Sequence, residues 1–169
     1  MSLDKEIASA AVEYSIEELF IMYKTPIYQF VYRYCQDEQL SIDIVQDTFV
    51  RFHKYEARFD ASKSNLKTYL FRMAYQLMIN RLKRRSRMKQ LLPFLYPQHQ
   101  QQLESDIKLG IKAAIEQLPD DQRAVILLTY YEDLPQKEIA RILEIPIGTV
   151  KSRLYTSLNK LKGLLEDDE

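Results

Sequence analysis

Residues 135–161 read PQKEIARILEIPIGTVKSRLYTSLNKL, and two short helices with a sharp turn between them fit this stretch better than any other arrangement. Pro135 suits the first turn of a helix, where its missing N–H costs nothing. Glu138, Ile139, Ala140, Ile142 and Leu143 then recur at helical spacing over about nine residues, with Ala140 small where a second helix must come close. Glu144-Ile145-Pro146 stops that helix, because a residue before proline disfavours helical backbone. Gly148-Thr149 opens the next, with Thr149 as its expected cap. In this second helix Val150, Leu154, Leu158 and Leu161 form the expected buried stripe, leaving Lys151, Ser152, Tyr155, Thr156 and Asn159 on the opposite side. Those side chains offer donors and acceptors that match base edges in a DNA major groove. Arg153 and Lys160 flank them, within reach of phosphates. Spacing alone fits an ordinary polar-faced helical hairpin as well as a helix-turn-helix.

Upstream the same periodicity continues. Ser15 and Glu18 make a capping box for a helix carrying Ile16, Leu19, Phe20 and Tyr23, which Pro26 is expected to interrupt or restart before Tyr34. Ser41 is the expected cap of a second helix running to about Lys54, with Ile44, Val45, Phe49 and Phe52 apolar. Residues 58–64 form a polar loop, and Ser64 is the expected cap of a long third helix striped by Leu66, Tyr69, Leu70, Met73, Leu77 and Leu82. Pro93, Pro97 and the run QHQQQ at 98–102 read as a linker, although Leu91, Leu92, Phe94, Leu95 and Tyr96 are apolar enough to dock on something. Leu103, Ile107, Ile111, Ala114 and Ile115 mark a further helix ended by Pro119, and residues 125–130 lie in another. The expected fold is all-α, with two small helical domains joined by a linker: residues 1–90, 91–103 and 104–169.

The composition agrees with helices, with only three glycines and six prolines in 169 residues. The net charge is zero, from 24 basic and 24 acidic residues, but its distribution is uneven. Residues 1–62 hold six Lys and Arg against eleven Asp and Glu, whereas residues 63–90 hold Lys63, Lys67, Arg72, Arg81, Lys83, Arg84, Arg85, Arg87 and Lys89 with no acid. A solvated helix face normally mixes both signs, so this run points to a polyanionic partner. A lone cysteine, Cys35, excludes an internal disulfide, and the acidic start of the chain does not look like a signal peptide, which favours a cytoplasmic protein. The two histidines, His53 and His99, with one cysteine give no metal quartet, and no phosphate loop or nucleophile motif is present. No enzyme, cofactor or metal site is expected.

The motifs carry a resemblance. Leu118-Pro119 and residues 135–161, above all Glu138-Ile139-Ala140 and Gly148-Thr149-Val150-Lys151-Ser152-Arg153, resemble the C-terminal domain of extracytoplasmic-function (ECF) sigma factors. Residues 41–52, SIDIVQDTFVRF, look like the polymerase-binding helix of that family. The resemblance implies a region 2-like three- or four-helix N-terminal domain and a region 4-like helix-turn-helix domain. It implies −35 DNA contacts from Thr149, Lys151, Ser152, Arg153, Tyr155, Thr156 and Asn159. It implies −10 capture and melting by Ser62, Lys63, Ser64, Lys67, Arg72, Tyr75, Gln76, Asn80, Lys83 and Arg84. Core RNA polymerase would be met, through the clamp coiled coil of its large subunit, by Asp43, Gln46, Asp47 and Val50, which fall on one helical face. An anti-sigma factor, often membrane-anchored in the family, is implied as a further partner. Tyr69 falls on the apolar stripe and reads as core. The chain departs from the family in having no tryptophan, in Gln76 for the usual asparagine, in Asn80 for aspartate, and in Glu144 where glycine is common in the turn. A repressor or activator that binds DNA without polymerase shares the helix-turn-helix but has no need of residues 41–90, and a helical adaptor without nucleic acid leaves the basic run unexplained.

Overall fold

The computed structural model describes residues 14–95 and 110–167, all of them in helices, turns and loops, with no strand among the described residues. Helix α1 (Ile16–Cys35) starts at the Ser15–Glu18 capping box, with both reciprocal hydrogen bonds formed. It runs unbroken through Pro26, against the expected interruption. A proline inside a helix forfeits one hydrogen bond and crowds the preceding turn, at about 3 kcal/mol. Burial of Leu19, Ile27, Phe30, Val31 and Tyr34 on either side outweighs this, at about 1.5–3 kcal/mol for each large apolar side chain.

Helix α2 (Glu38–Tyr55) is capped by Asp37, whose carboxylate accepts from the Leu40 N–H at 2.8 Å. Ser41, the expected cap, lies inside the first turn and donates to the Asp37 carbonyl at 2.6 Å. Helix α3 (Leu66–Leu91) is capped by Asn65 and not Ser64, with the Asn65 side chain accepting from Thr68 at 2.8 Å. Both corrections have one cause: several Ser, Asp and Asn residues cluster at each helix start, and only the backbone decides which carries extended dihedrals. Phe71, Ala74 and Met78 of α3 are buried beside the expected stripe, because α3 packs on α1 and α2 on one side and on α6 on another.

The C-terminal half contains α4 (Ile111–Glu116), α5 (Asp120–Tyr130), α6 (Gln136–Leu143) and α7 (Ile147–Glu166). The expected positions Tyr96, Pro97, residues 98–102, Leu103 and Ile107 lie outside the described residues. Helix α7 begins at Ile147 after Pro146, so Thr149 sits in its first turn and is not its cap. Its buried stripe is Val150, Ser157 and Leu161 with Leu154 half-buried, while Leu158 is exposed. The helical period explains this: Ser157 lies about 20° around the axis from Val150 and Leu158 about 80°. Ser157 keeps its buried hydroxyl satisfied by donating to the Arg153 carbonyl.

Buried residues of both halves form one continuous cluster. Arg123 of α5 joins the halves: its guanidinium donates to the carbonyls of Ile115, Glu116 and Leu118 near the end of α4, and to Tyr34 at the end of α1 at 3.0 Å. Arg33 stacks over Tyr131 at 4.2 Å from the ring centre. Helix α6 packs against α3, with its side-chain bonds to Thr68 and Arg72 near the start of that helix. The apolar residues Leu91, Phe94 and Leu95, expected to dock, are exposed. Among the described residues no helix is long and apolar enough to cross a membrane.

Candidate nucleic-acid interface

Helix α7 presents Lys151, Ser152, Tyr155, Thr156 and Asn159 to solvent, with Tyr155 72% exposed. Ser152 donates to the Thr149 carbonyl at 3.1 Å and Thr156 to the Ser152 carbonyl at 2.9 Å, so both hydroxyls use their proton within the helix and turn lone pairs outward. Arg153 is drawn instead toward α5, where Asp121 lies at 3.5 Å and leaves its side chain 30% exposed. Thr149 is half-buried and Lys160 exposed. No side chain caps the start of α7, so the partial positive charge of the helix end is open to an anion. A Cβ on Gly148 would meet nothing within 4 Å, so packing inside the fold does not demand glycine there.

The second surface lies on α3 and the loop before it. Arg72, Gln76, Asn80 and Lys83 fall within about 80° of one another around the helix. Arg72 and Gln76 open onto a groove of about 630 Å³ shared with Arg51, Lys54, Tyr55, Arg58 and Tyr69. Arg51, Lys54, Tyr55 and Arg58 are absent from the sequence expectation. Their cations belong to residues 1–62, whose net charge is acidic, and this hid a basic patch at i, i+3 and i+7 that runs from the end of α2 into the 3-10 turn Glu56–Arg58 after it. Arg58 stacks over Tyr55 at 4.8 Å and Lys54 over the same ring at 5.3 Å, which orients cations and an aromatic face together. Tyr69 packs edge-on against Phe59 and Phe52, with centroids 5.0 and 6.1 Å away, and also lines the groove, so it is core and wall at once. Tyr75 is half-buried, edge-on to Tyr34 at 6.5 Å, and burial pushes its phenol above the ordinary range.

In the loop, the hydroxyl and N–H of Ser62 both donate to the Asp60 carboxylate and hold it below the usual carboxylate range. Lys63 lies 3.9 Å from the same carboxylate, and Ser64 donates to the Asn65 carbonyl at 3.1 Å. A smaller cleft of about 360 Å³ connects Lys63, Ser64 and Arg58 to Arg141 of α6.

On α2, Gln46 and Val50 are exposed, Val50 by 70%. Asp43 accepts from Gln39 at 3.0 Å, and Asp47 pairs with Arg81 of α3. At Asp37 burial opposes ionisation, but the Leu40 N–H and Arg85, 2.7 Å away, outweigh it and hold the carboxyl low.

These pairs correct the picture of an uncompensated basic run. Lys67, Arg72, Arg81 and Arg85 each have an acidic partner supplied by the tertiary structure, namely Glu132, Glu144, Asp47 and Asp37, and Lys63 has a local one in Asp60. Lys83, Arg84, Arg87 and Lys89 are exposed, with no acid in ion-pair range among the described residues. Lys67 and Arg72 are engaged from the other half of the chain. Lys67 donates to the Glu132 carbonyl at 3.0 Å, the neighbouring Thr68 donates to the Glu138 carboxylate at 2.7 Å, and Arg72 pairs with Glu144.

A helix-turn-helix with an open polar row, beside a second unit bearing a cationic aromatic groove, is matched by known families in the same order. Residues 19–88 match the family described as Sigma-70 region 2, and residues 108–161 the family described as Sigma-70, region 4. The ECF RNA polymerase sigma factor SigW of Bacillus subtilis is 29% identical over 162 residues, covering 86% of this chain and 86% of its own length. SigM of the same organism is 28% identical, covering 89% and 94%. Among solved structures, the sigma factor RpoE of Bartonella quintana, in complex with the anti-sigma factor NepR, superposes with a TM-score of 0.74 at 25% identity, over 90% of this chain and 98% of that one. CnrH shares the fold at a TM-score of 0.71 and 24% identity, over 98% and 99%. With both sigma regions matched in sequence and the whole architecture shared, the chain belongs to the sigma-70 family of RNA polymerase sigma factors, in its ECF subfamily.

Proposed function

We propose that the chain directs RNA polymerase to promoters by reading the −35 element with α7, and by holding the −10 element as single strand against α3 and the loop before it. The carrying observation is the outward row Lys151, Ser152, Tyr155, Thr156 and Asn159 on the second helix of the helix-turn-helix. Such a row, with Thr149 beside it, suits base edges in a major groove. Arg153 would serve DNA only by leaving Asp121, and is the weakest member of the set. The bare start of α7 suits a phosphate, and Gly148 lets a DNA backbone come close.

For the −10 strand, the supporting features are the stacking face of Tyr55, the cations around it and the amide of Gln76, which together suit unpaired bases and their phosphates. Ser62, Lys63, Ser64, Lys67, Arg72, Asn80, Lys83 and Arg84 would extend that surface, while Tyr75 would act from behind by holding α3 in place. Asp43, Gln46, Asp47 and Val50 would bind the clamp coiled coil of core polymerase. Residues 1–90 would thus form the melting and polymerase-binding unit, 91–103 the linker and 104–169 the −35 unit. An anti-sigma factor is proposed as the restraining partner, on likeness to the Bartonella quintana protein; the exposed Leu91, Phe94 and Leu95 offer it an apolar foothold.

Transcription in vitro with core polymerase and a promoter mapped from transcription starts after overexpression tests the reading. Ser152→Ala with Thr156→Ala should cut −35-dependent initiation by about tenfold or more, the scale of about 1–3 kcal/mol for lost base contacts. Asp47→Arg should weaken core binding. Tight duplex binding by the chain alone, with no initiation by core polymerase, would favour a repressor.

A further inference from the structure

Glu144 ends α6 with φ 55° and ψ 46°, in the left-handed region. A side chain there carries a steric cost that glycine escapes, and glycine is the common residue at this point of the resembling family. Among the described residues the carboxylate makes no ion pair within its own half of the chain. Its partner is Arg72 on α3, with both side chains about half exposed (47% and 51%). Two more acids on the same edge face the same stretch of α3: Glu132 meets Lys67 and Glu138 meets Thr68. Carboxylates therefore stand against Lys67 and Arg72, the cations proposed to hold phosphates of the −10 strand. Arg141 of α6 closes the cleft at Lys63 and Ser64.

Size adds a second argument. A compact chain of this length has a diameter of about 40 Å. Elements centred at −35 and −10 lie about 25 base pairs apart, or about 85 Å along B-form DNA. The packed form is too small to serve both, so the halves must separate for the proposed function.

We propose that Glu144 is an intramolecular latch: its carboxylate on Arg72, with Glu132 on Lys67, occupies strand-binding cations of α3, Glu138 adds a bond to Thr68, and together they keep the free chain closed until polymerase or DNA competes them away. The assignment of those cations to DNA rests on the function proposed above, but the latch can be measured without DNA.

The test uses the full chain as Cys35→Ser, labelled for energy transfer at Glu17→Cys and Lys162→Cys. Wild type should be closed at low salt and open progressively as salt rises from about 0.05 to 0.5 M. Glu144→Gly should shift the open-to-closed ratio about two- to fivefold toward open, the scale of a half-exposed ion pair, with no fall in melting temperature because strain is relieved. Arg72→Glu alone should open the chain, and Arg72→Glu with Glu144→Arg should restore closure. An open wild type, a Glu144→Gly chain as closed as wild type, or a double variant as open as the single one overturns the latch. In a separate arm, Glu144→Gly should bind a single-stranded −10 oligonucleotide more tightly. Opening without that gain leaves the latch in place and refutes the DNA role of the α3 cations.

Discussion

Replacing Arg123 by alanine should be among the most damaging single changes outside the apolar core. Its side chain is 15% exposed and donates to four main-chain carbonyls, three of them (Ile115, Glu116 and Leu118) near the end of α4 and one (Tyr34) at the end of α1. Carbonyls at helix ends have no partner within the helix and carry partial negative charge, so one fixed cation satisfies two helix termini from opposite halves of the chain. Hydrogen bonds to charged groups contribute about 1.5–3 kcal/mol each. They share one side chain, and water will reach some of the carbonyls after truncation, so the sum falls well short of four such bonds. A loss of about 3 kcal/mol follows, equivalent to a drop of about 6–12 °C in melting temperature for a chain of this size. Arg123→Lys keeps the charge but loses the planar fork, and should lose about half as much. Thermal unfolding followed by circular dichroism at neutral pH measures both. A melting temperature within about 2 °C of wild type for Arg123→Ala would show that these carbonyls are solvated at little cost and that Arg123 does not tie the halves together.

Pro26→Ala should raise the melting temperature by a few degrees, because α1 is continuous there and alanine restores the bond to Met22; a fall would mean that the half-buried proline ring contributes more by packing than that bond restores. In α7, Ser157→Leu should destabilise by about 1–3 kcal/mol through overpacking, whereas Leu158→Ser should change stability by less than about 0.5 kcal/mol; equal effects in denaturant titrations would contradict the observed stripe. Burial pushes the Glu132 carboxyl above the ordinary glutamate range, against the pull of Lys67. The folded state therefore holds that proton more firmly, and the associated stability is full below about pH 4.3 and lost as pH rises through the elevated value. Glu132→Gln should flatten this part of the pH–stability curve while Lys67 keeps its bond to the main-chain oxygen; an unchanged slope would refute burial as the dominant cause.

The all-helical class, the helix-turn-helix and the outward row on α7 were legible in the residues themselves, because each follows from contacts three or four positions apart that the helical period fixes. The same local logic slipped where several residues competed for one role, as with Ser41 against Asp37, Ser64 against Asn65, and Leu158 against Ser157. What the sequence could not reveal was the fate of its charges. Residues 63–90 look uniformly basic along the chain, yet four of those cations meet acids through the fold: Arg81 reaches Asp47 across 34 positions and Arg72 reaches Glu144 across 72. Arg51, Lys54 and Arg58, lost in an acidic average, come together on one groove. Electrostatic energy depends on distance in space, and helix packing sets that distance without regard to order along the chain. Sequence determined the helices and the outward polar row on α7, and tertiary structure alone decided which cations gather on one groove and which ones the chain pairs with its own carboxylates.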